Sequence, residues 1–188
     1  LRQNSGWRSN FGSLRCNCRL KVVSAAILGC GNIGSRHLQG LLKLDAPLNI
    51  HVYDPSPESL GLALARATEV PCKAKTIQWH SQIESLPRQI DLVIIACLSI
   101  GRVPLVEAAV SRGCKYLIME KIVCQSMAEY ERILELCREE GQTKAWVNFQ
   151  ARYFKGYEWL KAQILAAGRI STLAAYGGNL GLATNGIH

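Results

Sequence analysis

VVSAAILGCGNIGSRH, residues 22–37, changes character at its middle. Val22 to Leu28 is a short β-rich apolar run, read as a strand of a parallel sheet. Gly29, Gly31 and Gly34 then fall in the spacing G-x-G-x-x-G, and a helix is predicted to open near Asn32. In such a strand-turn-helix unit the first glycine permits a tight turn, and the second lets a diphosphate approach the backbone. The third allows helix and strand to pack closely. Free N–H groups and the positive end of the helix dipole favour an anion there. Gly29, Gly31, Asn32, Ile33 and Gly34 are therefore candidate residues for holding a dinucleotide. Taken alone, the motif also reads as a plain strand-to-helix turn.

Asp54 narrows the choice. It follows a second β-rich run, Asn49 to Tyr53, twenty residues after Gly34, where a carboxylate can accept hydrogen bonds from ribose hydroxyls. A carboxylate there repels a 2'-phosphate, so NAD is expected and NADP disfavoured. The competing role for Asp54 is an N-terminal cap for Ser56-Pro57-Glu58.

Beyond Asp54 strands and helices continue to alternate. Further strands are predicted near Lys75 to Gln78, at Leu92 to Cys97, Lys115 to Met119 and Ala145 to Phe149. Ser56-Pro57 reads as the cap and first turn of one helix, and Gly113 as the end of another that begins near Arg102. Ser126 and Glu129 form a capping box for a third, in which Met127, Tyr130, Ile133, Leu134 and Cys137 recur at helical spacing before Gly141. A fourth runs from about Phe154 to Ala167 and stops at Gly168. Six strands are too few for an eight-stranded barrel, so the expected fold is α/β, a doubly wound parallel Rossmann sheet covered on both faces. It is followed by the start of a truncated α+β substrate domain. The expected division is a disordered basic leader at 1–21, a dinucleotide-binding domain at 22–150, and the beginning of a substrate and oligomerisation domain at 151–188.

Composition bounds the alternatives. The 188 residues carry a net charge of +8, but the first 21 hold five bases and no acid, leaving 17 bases against 14 acids in the rest. The excess thus belongs mainly to the leader, whose composition also suits an organelle-targeting segment; with few aromatics and no recognisable motif, it gives no reason to expect a nucleic-acid partner. No apolar run reaches the ~20 residues that cross a bilayer, so no membrane association and a cytoplasmic location are expected. The eight cysteines sit mostly in apolar segments, with no C-x-x-C pair. Cys16-x-Cys18 is too close and isolated for zinc, so reduced thiols and no metal are expected.

GCGNIGSRH, DLVIIACLS, the Glu120-Lys121 pair, VNFQARY and the terminal GGNLGLATNGIH together resemble the glucose-fructose oxidoreductase and inositol dehydrogenase family, Gfo/Idh/MocA, from Val22 to His188. The resemblance implies an NAD-dependent oxidoreductase moving a hydride between nicotinamide and a secondary hydroxyl of a sugar, cyclitol or sugar nucleotide. It gives Lys121 and His188 the proton-transfer roles, since removing a hydride from a carbinol carbon requires something to take the hydroxyl proton. Cys97 to Ser99 would border the channel between adenosine and nicotinamide, with Glu120 and Asn148 beside the nicotinamide. Arg152 and Asn179 would be candidates for substrate contact, and the longer form would be a homo-oligomer. Ile122 stands where the family has proline, and Lys155 where proline is common after Arg152. The alternative reading is a non-catalytic dinucleotide-binding sensor or partner subunit.

Overall fold

β1, Val23–Leu28, sends alternate side chains to opposite faces of the sheet, and both faces are apolar. Ala25 and Ile27 join one buried cluster, Ala26 and Leu28 the other, and all four are no more than 1% exposed. A strand whose last four residues are apolar and fully buried on both faces fits only at the centre of a sheet clad on two sides. The computed structural model, which describes residues 22–72, 75–139, 143–149 and 154–168, places it there.

The remaining strands are β2 (Leu48–Tyr53), β3 (Lys75–His80), β4 (Leu92–Ile95), β5 (Tyr116–Glu120) and β6 (Lys144–Asn148). All pair in parallel in the order β3-β2-β1-β4-β5-β6, the doubly wound arrangement. The helices are α1 (Asn32–Lys43), α2 (Pro57–Thr68), α3 (Arg102–Val110), α4 (Met127–Glu139) and α5 (Lys155–Ala167). α1 presents Leu38, Leu41 and Leu42 to the Ala25/Ile27 face, where Ala63 and Ala67 of α2 also pack. Val106, Ala109 and Val110 of α3 meet Ile133 and Leu136 of α4 over the Ala26/Leu28 face. Each large aliphatic side chain so buried contributes about 2 kcal/mol.

Local chemistry sets the helix ends. Ser56 caps α2, its Oγ accepting from the Ser59 N–H at 3.3 Å, with Pro57 in the first turn. Gly113, at φ +73°, turns the chain out of α3. Gly168, at φ +71°, closes α5 by donating to Ile164.

Several expectations need correction. Ala96 and Cys97 lie beyond β4, because the chain leaves the ladder there and enters the cleft described below. In α4 the buried residues are Ile133 and Leu136, whereas Met127 is 69% and Tyr130 41% exposed. Helical spacing alone did not tell the inward face from the stripe beside it. Ser126 Oγ accepts from the Glu129 N–H, but the Glu129 carboxylate reaches the N–H of Gln125 rather than that of Ser126. Double coverage of the sheet holds at the centre and lapses at the edge, where Lys144 to Val147 of β6 are exposed. The leader, Gly141 and everything after Gly168 lie outside the described residues.

Candidate functional site

The strand order reverses between β1 and β4, and the chain leaves the two neighbouring strands to different helix layers. A crevice opens at such a point, outside the carboxyl ends of the strands. Here it is a cleft of about 500 Å³, built from four consecutive strand exits. The β1 exit supplies Gly29, Gly31, Asn32 and Ile33, and the β2 exit supplies Asp54. The β4 exit contributes Ala96 to Ser99 and the β5 exit contributes Glu120, Lys121 and Ile122. Most of the candidates therefore converge on one space although they span more than ninety residues of sequence.

The three glycines meet different demands. A Cβ on Gly29, at φ +88°, would lie 2.7 Å from the Cys97 nitrogen, so this glycine lets the β1 and β4 exits touch. A Cβ on Gly34 would lie 1.8 Å from the Gly29 oxygen, so α1 can seat on the turn only without a side chain there. A Cβ on Gly31 would meet nothing within 4 Å and would project into open space at the cleft. Gly34 does not line the cleft; it shapes the turn that does.

Asp54 fastens the turn to β2. It is 8% exposed, and its Oδ2 accepts from the Cys30 N–H at 2.8 Å while Oδ1 accepts from the Ser56 N–H at 2.9 Å. The carboxylate thus supports the start of α2 as well as facing the cleft, with Ser56 as the cap itself. Burial, reinforced by the adjacent Asp54 charge, pushes the Cys30 thiol up to about 12. That thiol stays protonated at neutral pH and serves as filler, not nucleophile.

At the opposite end Glu120 is the hub of a half-buried polar cluster. Its Oε1 lies 2.7 Å from Nε2 of His37, on α1, and 2.5 Å from Nδ2 of Asn148, at the end of β6. Burial pushes the Glu120 carboxyl up, but hydrogen bonds from His37, Asn148 and the Lys121 backbone outweigh it and hold the group below its usual value. An ionised carboxylate only accepts, so Nε2 of His37 carries the donated proton. Asn148 reaches the cleft through Glu120 and does not line it. The peptide bond between Lys121 and Ile122 is cis. Arg152, Asn179 and His188 lie outside the described residues.

A turn with open space at Gly31, a helix start without a side-chain cap and a buried acid one strand away has the form of a dinucleotide-binding turn. The model of the oxidoreductase family with an NAD-binding Rossmann fold matches residues 23–149. The chain belongs to the Gfo/Idh/MocA family. An inositol 2-dehydrogenase of Salmonella typhimurium is 28% identical over 150 residues, 79% of this chain and 43% of that protein. The crystal structure of a myo-inositol 2-dehydrogenase from Lactobacillus plantarum matches with a TM-score of 0.63 and 19% identity, over 81% of this chain and 43% of that one. A scyllo-inositol dehydrogenase from Lactobacillus casei, solved with NAD(H) and scyllo-inositol, gives 0.63 and 19%, over 80% of this chain and 43% of that one. The chain spans less than half the length of these relatives. The two structural likenesses speak for the fold.

In this Gfo/Idh/MocA chain, three polar residues at the cleft escaped sequence reasoning. His37 carried no role of its own in the sequence reading, and only the sheet order brings it to Glu120. Arg66 of α2 donates to the Asn32 carbonyl at 2.9 Å and Ser35 Oγ at 2.6 Å, bracing the first turn of α1. Arg102 entered the sequence reading only as the place near which a helix begins, yet it is 1% exposed. A basic residue between Gly101 and an apolar helix was the one available signal, and it reads equally well as solvated.

Proposed function

We propose that the cleft binds NAD and that the chain is the nucleotide-binding half of a dehydrogenase acting on a secondary hydroxyl of a sugar, cyclitol or sugar nucleotide. The observation that carries this reading is the convergence of the Gly29–Gly34 turn, Asp54 and Lys121 on one cleft. Family membership and the inositol dehydrogenases among its relatives support the same chemistry. Asp54 supports NAD over NADP, since a carboxylate that held the adenosine ribose would repel a 2'-phosphate.

The amides of the turn would hold the diphosphate, and Asp54 the adenosine ribose. When bound, the dinucleotide supplies a nicotinamide that takes the hydride from the carbinol carbon. Lys121, on the β5 exit, would accept the proton that leaves the substrate hydroxyl, so that hydride and proton depart from one alcohol and a carbonyl remains. Glu120, clamped by His37 and Asn148, would keep an ionised carboxylate beside it. His188 would share the proton transfer, with Arg152 and Asn179 contacting substrate, by resemblance to the family. A cytoplasmic homo-oligomer is the form expected of the longer protein.

The test is to extend the reading frame through a complete second domain and assay reduced nicotinamide against a panel of sugars and cyclitols. Turnover that disappears in Lys121→Ala supports the proposal. Cofactor bound with no turnover on any polyol would favour the dinucleotide-binding sensor instead.

A further inference from the structure

Arg102 is the largest side chain among the fully buried ones, and among the described residues no carboxylate pairs with it. Its guanidinium instead donates to backbone carbonyls. Nη2 reaches the Cys97 oxygen at 2.5 Å. Nη1 is shared between Glu120, Ile122 at 2.7 Å and Val123 at 3.2 Å. Nε is buried without a partner among the described residues. Burying a cation costs desolvation free energy that its hydrogen bonds must offset, and removing it would leave those carbonyls without their donor. What the planar fork supplies is geometry, fixing acceptors at set distances and angles.

Those acceptors belong to two walls of the cleft. Cys97 is on the β4 exit, and Glu120, Ile122 and Val123 are on the β5 exit. The Glu120 and Ile122 carbonyls bracket Lys121, so one nitrogen of Arg102 grips the chain on both sides of that residue. The glycine turn and Asp54 make no hydrogen bond in this network, and the turn meets it only where Gly29 packs against Cys97.

We propose that Arg102 is a positioning residue. From behind the cleft it sets the spacing of the β4 and β5 exits and thereby aims Lys121, organising the nicotinamide half of the site while leaving the adenosine half alone. This rests on the reading of the cleft as an NAD site, and it assigns the two halves to separate supports.

Calorimetry of the 188-residue chain with NAD and with ADP-ribose, which lacks only the nicotinamide, separates the two halves. Wild-type protein should bind NAD more tightly than ADP-ribose. In Arg102→Met, NAD affinity should fall by about tenfold or more toward the ADP-ribose value, while ADP-ribose affinity stays within about twofold. Arg102→Lys keeps the charge without the fork, and should restore no more than part of the difference. A structural role alone would lower both affinities together. An unchanged NAD to ADP-ribose ratio in the folded variants would overturn the proposal. So would wild-type protein that does not distinguish the two ligands, or loss of folding in both variants, which would make Arg102 a folding determinant. If wild-type protein bound neither ligand, the NAD reading itself would fail.

Discussion

Oδ2 of Asp54 accepts the backbone N–H of Cys30 at 2.8 Å, which ties the acid at the tip of β2 to the glycine turn at the tip of β1. The two parts of the dinucleotide signature are therefore one mechanical unit. Removing the carboxylate should both loosen the turn and delete the proposed ribose acceptor.

Asp54→Ala should therefore weaken NAD by about 10- to 100-fold, the equivalent of about 1.5–3 kcal/mol for a hydrogen bond to a charged group. NADP should lose less, because the same change removes a repulsion. Titration of both nucleotides into wild type and variant measures this directly. Equal losses for the two would show that Asp54 acts only on the turn.

Gly31 and Gly34 should separate binding from stability. Gly34→Ala forces a Cβ to within 1.8 Å of the Gly29 oxygen, so backbone must move, with a loss of about 3 kcal/mol or more. Gly31→Val should leave stability within about 1 kcal/mol, since nothing lies near its Cβ, and should nevertheless abolish NAD binding. Urea denaturation paired with NAD titration reads both quantities.

The part legible from sequence was the part written locally. Strand period, the glycine spacing, Ser56-Pro57 and Gly113 depend on neighbours a few residues away, so strand and helix order could be read directly. His37 and Glu120 are 83 positions apart and meet only because β1 and β5 flank β4, which no local pattern encodes. Arg102 was missed for a related reason: its acceptors are backbone carbonyls, and carbonyls leave no mark on a sequence. The inward face of α4 was misread because Met127 and Tyr130 share the helical spacing of residues that are buried.

His51 and His80 should make stability fall in mild acid. Nδ1 of His51 lies 3.1 Å from Nε2 of His80, and burial lowers both groups, with the His80 partner also lowering His51. Because the folded pKa values lie below the ordinary 6.5, the contribution is complete above that pH and is lost as pH falls below it through the folded values. Glu120 is likewise lowered from 4.5, so its own contribution is lost only below that pH. Urea midpoints should therefore drop first below pH 6.5 and again below pH 4.5. His51→Gln should blunt the first step and leave the second.

His37→Phe should raise the Glu120 pKa and destabilise the fold by about 1 kcal/mol, since a half-buried carboxylate loses a donor. Carboxyl chemical shifts followed through an acid titration detect the change. An unmoved Glu120 would mean that Asn148 and the Lys121 amide suffice to hold it.

Calorimetric titration of NAD into the folded 188-residue chain reads out whether the glycine turn and Asp54 act together on a dinucleotide. The expected result is saturable binding at one site, weaker for NADP by about tenfold or more. A chain with native circular dichroism and no heat from either nucleotide would contradict it.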